Sequence, residues 1–200
     1  MIEFDKCFVI SLASRPTRYM RFKEKLVDSG FPFDVERFEG VVERAPDWWR
    51  LSDGMWGCAR SHRILLGRML DSNWKNMLVF EDDAFFVGNF MERLRALKVP
   101  DDWDMLYLGG RPVGKITPID SGLVRCANIN LMHAYAINRK AIDGIVKFFD
   151  SHREPQANDW RLGALHPKIN AYLCLPNLVG QCAGASGTEE SLFYQERIYA

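Results

Sequence analysis

Asn76–Phe86 reads Asn-Met-Leu-Val-Phe-Glu-Asp-Asp-Ala-Phe-Phe, an apolar run followed directly by three carboxylates. Met77–Phe80 is apolar at every position, which is typical of a strand buried on both faces of a sheet. Consecutive carboxylates are costly to bury without a compensating cation, because desolvation and mutual repulsion both oppose their ionisation. We therefore expect Glu81, Asp82 and Asp83 at the carboxyl edge of the sheet, where open α/β proteins bind ligands.

The three acids have two interpretations. Carboxylate oxygens are hard ligands that suit Mg²⁺ or Mn²⁺, which predicts a cation site at the edge of the sheet. The same residues could instead form an acidic turn that caps a helix beginning near Asn89. The stretch alone does not distinguish a cation site from a capping turn.

Strands alternate with helices through the first two-thirds of the chain. The predicted elements are a strand over Cys7–Leu12, a helix from Pro16 to Ser29, a strand over Phe33–Phe38, a helix over Trp56–Leu70, and a helix marked by Phe90, Leu94 and Leu97. This alternation predicts one α/β domain, with a mostly parallel central sheet and helices on both faces.

The last third adds antiparallel signals. Gly109-Gly110 follows the predicted strand Trp103–Leu108, and we expect the backbone to turn sharply there. The remaining predicted elements are two strands over Leu123–Asn130 and Met132–Ile137, helices over Ala141–Phe149 and Asn158–Leu165, and a strand over Ala171–Leu175. A small antiparallel portion in the C-terminal third is therefore expected.

Composition excludes several classes of protein. The chain has 200 residues, of which 48% are hydrophobic, and its 26 basic and 26 acidic residues cancel. Zero net charge argues against a nucleic-acid binder, which needs a surplus of basic residues. No apolar run approaches the ~20 residues of a membrane span, and the amino terminus lacks the pattern of a secretory signal. We expect a cytoplasmic protein, unless a flanking segment is missing.

The five cysteines predict neither a disulfide framework nor a structural zinc site. They are odd in number, widely spaced and contain no Cys-x-x-Cys pair. Their expected role is that of buried, reduced thiols in the core.

Two pairs of polar residues stand out before the acids. Arg15 and Arg18 follow the first strand, where they could meet a nucleotide base or its phosphates, or simply be solvated surface residues. Ser61 and His62 lie beside apolar positions of a helix. A polar pair there must find partners inside the protein or on a ligand.

Taken in order, the motifs resemble glycosyltransferase family 25, the lipooligosaccharide and collagen galactosyltransferase type, which has the nucleotide-binding GT-A fold. The resemblance covers most of the chain, and it is the order and spacing of the motifs that make it specific. The segments that carry it are Phe8-Val9-Ile10-Ser11-Leu12 with Arg15 and Arg18, Arg37-Phe38-Glu39-Gly40, Gly57-Cys58-Ala59-Arg60-Ser61-His62, Val79-Phe80-Glu81-Asp82-Asp83-Ala84, Trp103-Asp104-Met105-Leu106-Tyr107-Leu108, His133-Ala134-Tyr135-Ala136-Ile137, Asn158-Asp159 and Pro176-Asn177-Leu178-Val179-Gly180-Gln181.

The resemblance implies a metal and a donor. Glu81-Asp82-Asp83 corresponds to the Asp-x-Asp signature, so Asp83 would ligate Mn²⁺ or Mg²⁺ directly. Glu81 and Asp82 would reach the cation through water or bind the ribose. The donor would be a UDP-sugar carrying galactose or glucose, transferred with inversion to a glycan or glycoprotein hydroxyl. A bound cation would stabilise the charge that develops on the departing diphosphate.

The resemblance also assigns roles around the donor. Arg15, Arg18, Ser61 and His62 would contact the nucleotide, with the backbone of Ser11–Leu12 near the base. Gln181 and Ser186 match a polar pair in the family's tail, where a mobile segment closes on the donor, and the nearby glycines would permit that motion.

Two further residues have competing interpretations. Asp159 corresponds to an aspartate of the family and would act as the general base toward the acceptor hydroxyl. Its alternative role is that of a helix N-cap, which is common for Asp. His133 would line the sugar pocket, or would be a core histidine with its hydrogen bonds satisfied inside the protein.

The resemblance divides the single domain into a nucleotide-binding part, about 1–110, and an acceptor-side part, about 111–200. Longer family members have an extra acceptor-binding region, which could be absent here, lie on a partner or belong to a further domain. Two alternatives to a transferase stay open: a non-catalytic carbohydrate- or nucleotide-binding homologue, and a Mg²⁺-dependent phosphate-handling domain. The latter would need its acidic signature after the first strand, where this chain has Ser11-Leu12-Ala13.

Overall fold

A computed structural model describes residues 1–120, 122–151 and 157–182. The strands are β1 (Lys6–Ser11), β2 (Val35–Glu39), β3 (Asn76–Glu81), β4 (Ala84–Phe86), β5 (Met105–Asp120), β6 (Leu123–Asn138), β7 (Ala171–Cys174) and β8 (Val179–Gln181). The helices are α1 (Pro16–Asp28), α2 (Asp53–Asp71), α3 (Phe90–Ala96), α4 (Ile142–Ser151) and α5 (Asn158–Gly163), with short 3₁₀ helices at Arg139–Ala141 and His166–Lys168. No helix within these ranges is long and apolar enough to cross a membrane.

Six strands form the central sheet in the order β2-β1-β3-β6-β5-β7. β1 pairs in parallel with β2 and β3, and β5 pairs in parallel with β7. β6 runs antiparallel to both β3 and β5. Five of the six strands therefore share one direction, which confirms the predicted mostly parallel sheet. β4 and β8 form the small antiparallel sheet.

Helices cover both faces of the sheet, and the apolar run of β3 reflects this. Met77 and Val79 face one core cluster, while Leu78 and Phe80 face the other, and all four are fully buried. The first cluster takes residues from α2, α4 and α5, and the second takes residues from α1 and α3. Because neither face of β3 meets solvent, its sequence has no alternating polar positions.

The sharp turn predicted at Gly109-Gly110 is wrong, since β5 continues through both glycines to Asp120. The glycines instead allow close packing. A Cβ on Gly109 would collide with the carbonyl oxygen of Val179 and the ring of His133. The pairing with β6 also shifts register on either side of Gly109, as in a β-bulge.

The prediction of two antiparallel strands over Leu123–Asn130 and Met132–Ile137 is wrong, because both segments belong to one strand, β6. The antiparallel portion expected in this third of the chain is confirmed by the pairing of β6 with β5. Leu131, between them, has φ of 70°, an uncommon backbone conformation for a residue with a branched side chain. The sequence break therefore marks an irregularity within a strand. The irregularity lies beside the candidate site residue Asp159, which accepts a hydrogen bond from the Leu131 amide.

Candidate active site

A cavity of about 320 Å³ opens at the carboxyl ends of β1 and β3. Parallel strands end at the same edge, and Ile10 of β1 is paired with Glu81 of β3. Eight predicted site residues line the cavity: Ser11, Leu12, Arg15, Arg18, Ser61, Glu81, Asp82 and Asp83. A larger cleft of about 460 Å³, beside Lys25 and Phe90, contains none of the predicted site residues.

Backbone hydrogen bonds fix the acidic turn between β3 and β4. The Asp82 amide donates to the Ile10 carbonyl at 3.2 Å, and the Asp83 carbonyl accepts from the Cys182 amide at 2.8 Å. The acids are thus held between β1 and the end of β8. The alternative role was a cap for the helix that begins at Phe90, but the N-cap of that helix is Asn89. The side chains of Glu81 and Asp83 bond to Gln181 instead.

Arg18 binds two of the acids directly. Its Nη2 lies 2.6 Å from Asp82 Oδ1 and 2.9 Å from Asp83 Oδ2. Pro16 begins α1, so Arg18 stands in the first turn of that helix and faces the acidic edge of the sheet. The guanidinium predicted to contact the nucleotide is therefore the counter-ion of the acidic turn in this structure.

Glu81 belongs to a separate cluster of hydrogen bonds. Its Oε1 lies 3.0 Å from His62 Nε2 and 3.8 Å from Cys58 Sγ, and its Oε2 accepts from Gln181 at 3.5 Å. Gln181 also donates to Asp83 Oδ2 at 3.3 Å. The side-chain amide of Gln181, in β8, thus bridges Glu81 and Asp83.

The environments of Glu81 and Asp83 move their pKa values in opposite directions. Burial opposes ionisation of Glu81, but the hydrogen bond and charge of His62 outweigh it and lower the pKa of Glu81. Burial and the neighbouring Glu81 charge raise the pKa of Asp83 to about 7, despite Arg18. Burial also raises the pKa of Asp82. A cation bound beside Asp83 would lower this raised pKa. Asp83 is therefore the acid whose ionisation a bound cation would promote most.

Asp83 also supplies an oxygen suited to a cation. Its Oδ1 is buried and has no hydrogen-bond partner among the residues that the structure describes. Mg²⁺ sites often use one or two carboxylates together with substrate phosphates, so this oxygen fits an Mg²⁺ or Mn²⁺ ligand. Three carboxylate oxygens do not converge on a point within the described ranges, since the convergent set of ligand atoms comes from Cys58, His62 and Glu81.

Ser61 and His62 find their partners inside the protein. Ser61 Oγ donates to the Gly57 carbonyl at 2.7 Å and accepts from the Val41 amide at 2.8 Å, which fixes a segment of the cavity wall. His62 is fully buried, with Nδ1 2.8 Å from the Tyr135 hydroxyl. Helix α2 carries both residues, and its N-cap is Ser52, whose Oγ accepts from the Met55 amide.

His133 is a core residue beside β8. Its Nε2–H donates to the Val179 carbonyl at 3.1 Å, and burial lowers its pKa. Its Nδ1 is buried without a partner in the described part of the chain. The interpretation of His133 as a core histidine with satisfied hydrogen bonds therefore holds for Nε2 but not for Nδ1. Ser186 lies outside the described residues.

Asp159 reaches across to the irregular point of β6. Its Oδ2 accepts from the Leu131 amide at 3.1 Å, and its Oδ1 accepts from the Trp160 amide at 2.9 Å. The N-cap of α5 is Ala157, so Asp159 is not the N-cap itself. The preceding residue, Asn158, donates to Cys58 Sγ at 3.6 Å, which joins this helix terminus to the acidic edge.

Sequence reasoning missed Cys58, Asn158 and Tyr135 as parts of the site. Cys58 was expected in the core, but it is exposed and lines the cavity. Its position four residues before His62 places both side chains on one face of α2, and that spacing was a usable signal. Nothing in the sequence indicated the contacts of Asn158 and Tyr135, because these depend on how distant segments pack.

Comparison with known proteins identifies the family of the chain. The sequence model of "Glycosyltransferase family 25 (LPS biosynthesis protein)" matches residues 4–153. A human protein named "Inactive glycosyltransferase 25 family member 3" is 30% identical over 170 residues, covering 68% of this chain and 27% of that protein. "Procollagen galactosyltransferase 1-A" of Xenopus laevis is 30% identical over 131 residues, covering 54% of this chain and 21% of that protein.

A solved structure supports the fold independently. It is the crystal structure of a glycosyltransferase involved in the glycosylation of the major capsid of PBCV-1, with a TM-score of 0.53, 8% identity, and coverage of 90% of this chain and 94% of that one. The chain spans only about a quarter of the length of the two curated relatives. The match to the family extends over three-quarters of the chain, and the predicted resemblance is confirmed: the chain belongs to glycosyltransferase family 25.

Proposed function

We propose that this chain is a metal-dependent transferase that moves a hexose from a UDP-sugar to a hydroxyl of a glycan or glycoprotein, with inversion. The position of the cavity carries this proposal. β1 lies between β2 and β3, so the chain forms β2 on one side of β1 and later forms β3 on the other side. The carboxyl ends of β1 and β3 are therefore a topological switch point of the sheet, and the cavity lies just outside it. Open α/β sheets bind nucleotides at such points.

The donor would occupy the nucleotide-binding part, about 1–110. Arg15 lines the cavity beside Ser11 and Leu12, where it would meet the base or the diphosphate. Arg18 is already engaged with Asp82 and Asp83, so it would contact the donor only after exchanging a carboxylate for a phosphate. Both are charge-assisted bonds of the same kind, so that exchange is chemically reasonable.

Asp83 would hold the Mn²⁺ or Mg²⁺ ion through its unpartnered buried oxygen. When bound, the ion would neutralise charge on the diphosphate leaving group. Glu81 is fixed by His62 and Gln181, and Asp82 by Arg18, which suits them to contacts through water or with the ribose. Held in this way, both acids would orient the donor without direct ligation.

Asp159 would take the proton of the acceptor hydroxyl. An ionised carboxylate offers about four acceptor positions, and two are used by the Leu131 and Trp160 amides. Those two bonds hold the carboxylate in one orientation and leave lone pairs for the acceptor. A base oriented on the side opposite the leaving group gives inversion, which is the outcome we propose.

Calorimetric titration with UDP, with and without Mn²⁺, tests this function. We expect Mn²⁺-dependent binding that is lost in Asp83→Ala and kept in Asp101→Asn, a change of an exposed acid outside the cavity.

Asp159→Asn should bind UDP normally but lower turnover about 100-fold or more. A screen of nucleotide sugars for donor hydrolysis would identify the sugar. The proposal would be contradicted if UDP bound equally well with and without Mn²⁺ and equally well to the wild type and to Asp83→Ala.

A second candidate is a non-catalytic homologue that binds nucleotides or glycans. The observation that favours it is Arg18, which occupies two of the acids that a cation would need. The name of a human relative, "Inactive glycosyltransferase 25 family member 3", also supports a homologue without transferase activity. Binding of UDP or of free glycans, with no turnover of any donor and no effect of Asp159→Asn, would favour this candidate.

A further inference from the structure

A sulfur, a nitrogen and an oxygen converge beside the cavity. Cys58 Sγ, His62 Nε2 and a Glu81 carboxylate oxygen all lie within 4.8 Å of one another. Two of the separations are shorter: 3.0 Å from His62 Nε2 to Glu81 Oε1 and 3.8 Å from Cys58 Sγ to the same oxygen. Helix α2 supplies the first two ligand atoms from one face, and the end of β3 supplies the third.

These distances suit a tetrahedral ion. Zinc binds sulfur at about 2.3 Å and nitrogen or oxygen at about 2.0–2.2 Å, so its ligand atoms lie roughly 3.3–3.7 Å apart. The two separations to Glu81 bracket this range, and the sulfur of Cys58 and the ring nitrogen of His62 lie within 4.8 Å, so the side chains would close around a bound ion to complete the site. The chemistry agrees, because thiolate and imidazole favour Zn²⁺ over Mg²⁺ or Mn²⁺.

Each ligand has a partner that orients it, as metal ligands in proteins usually do. The Tyr135 hydroxyl holds His62 Nδ1 at 2.8 Å, so Nε2 faces the other two ligands. Asn158 donates an N–H to Cys58 Sγ at 3.6 Å. Burial and Glu81 raise the pKa of the Cys58 thiol, so the metal ion itself has to displace the thiol proton. Gln181 donates to the second oxygen of Glu81 at 3.5 Å.

The site is open on one side. Cys58 is exposed, and both Cys58 and Glu81 line the 320 Å³ cavity, so an ion could enter from solvent. Three protein ligands leave a fourth position for water or another small ligand, as in exchangeable rather than structural zinc sites.

We propose that Cys58, His62 and Glu81 form a binding site for Zn²⁺, separate from the hard cation expected at Asp83. The thiol proton of Cys58 is released to solvent when the ion binds. Because Glu81 borders both positions, zinc in this site changes the surface that the nucleotide donor meets. The zinc site goes beyond the proposed transferase function, and its existence does not depend on that function.

Metal titration of the full chain, stripped with a chelator, tests the proposal without any nucleotide. We expect one equivalent of Zn²⁺ to bind, and Co²⁺ in its place to give a thiolate-to-cobalt charge-transfer band with strong tetrahedral d–d absorption. Cys58→Ser should remove the band and weaken Zn²⁺ binding by at least about tenfold. Cys126→Ala, at a buried cysteine of β6, should leave both unchanged.

Tyr135→Phe provides a second variant, because it removes only the hydroxyl that orients His62. We expect it to keep the charge-transfer band and to weaken Zn²⁺ binding by about 10–100-fold. Circular dichroism checks that each variant is folded. A wild-type Co²⁺ complex without the thiolate band, or a folded Cys58→Ser variant that binds Zn²⁺ as tightly as the wild type, would overturn the proposal.

Discussion

Arg18 shows how one residue determines the charge of the site. A cation in the first turn of a helix opposes the helix dipole and costs about 0.3–1 kcal/mol. Its ion pairs with Asp82 and Asp83 involve side chains that are only 7–14% exposed. Losing one partner of such a nearly buried pair typically costs about 3–5 kcal/mol, because the remaining charge is left uncompensated, and this penalty exceeds the dipole term. The unfavourable position of Arg18 in α1 is explained by the acids it neutralises.

Arg18→Met keeps the length of the side chain and removes its charge. We expect the free energy of unfolding to fall by about 3 kcal/mol, because two carboxylates lose their counter-ion. Millimolar Mn²⁺ should raise the melting temperature of the variant more than that of the wild type, since a cation can replace the missing charge. Arg95→Met, at an exposed arginine of α3, is the control. Equal stability of the two variants would argue against the counter-ion role.

At the scale of elements, local signals predicted the strands and helices of the first half well. The apolar run Met77–Phe80 forms the buried part of β3, and Pro16 marks the start of α1. The short strands β4 and β8 were missed because three residues carry no readable period. β5 passes through Gly109-Gly110 because its pairing with β6 and the approach of β8 outweigh the local tendency of glycine to turn. Such outcomes depend on segments distant in sequence.

The same limit applies to the site. Seven of the eight predicted residues in the cavity lie at or after the ends of β1 and β3, which end at the same edge of the sheet, and the eighth, Ser61, comes from α2. The pairing of Arg18 with the acids joins residues more than 60 positions apart, and no local pattern encodes it. The contact of Asp159 with Leu131 likewise requires α5 to dock on β6.

Gly109→Ala tests the close approach of β5 and β8. The added methyl group would overlap the Val179 carbonyl and the His133 ring, and a backbone cannot move aside as a flexible side chain can. We expect a loss of about 1–3 kcal/mol in urea unfolding. Gly144→Ala in α4 is the matched control, because no atom lies within 4 Å of its added Cβ and alanine favours a helix by about 0.5–1 kcal/mol. A loss of similar size in both variants would contradict this account.

At the scale of the whole molecule, β6 joins the two parts of the chain. It lies between β3, which leads to the acids, and β5, which pairs with the C-terminal β7. Asp159 and His166 both bind to β6, through Leu131 and Ile129 respectively. β6, which runs against the other five strands of the central sheet, therefore positions Asp159 and His166 relative to the cavity, and contacts along it should stabilise the whole fold.

His166 is the buried titratable group among these contacts. The Ile129 amide donates to its Nδ1 at 3.0 Å, and its Nε2 lies 2.9 Å from the Tyr107 hydroxyl. Protonation of Nδ1 would break the bond from Ile129, and burial lowers the pKa of His166 from 6.5 to about 4. Below about pH 6.5 the unfolded chain therefore binds a proton that the folded chain does not, so stability falls as the pH drops toward 4.

Urea unfolding at about pH 7.5 and about pH 5 measures this effect, and we expect His166 to contribute a loss of about 2 kcal/mol at the lower pH. His166→Gln keeps an acceptor for the Ile129 amide but does not titrate, so its stability should depend less on pH. The comparison is necessary because Asp83, whose pKa is raised to about 7, acts in the opposite direction over the same range. The difference between wild type and variant isolates the histidine. If that difference is the same at both pH values, His166 is not the neutral, buried group that ties the C-terminal segment to β6.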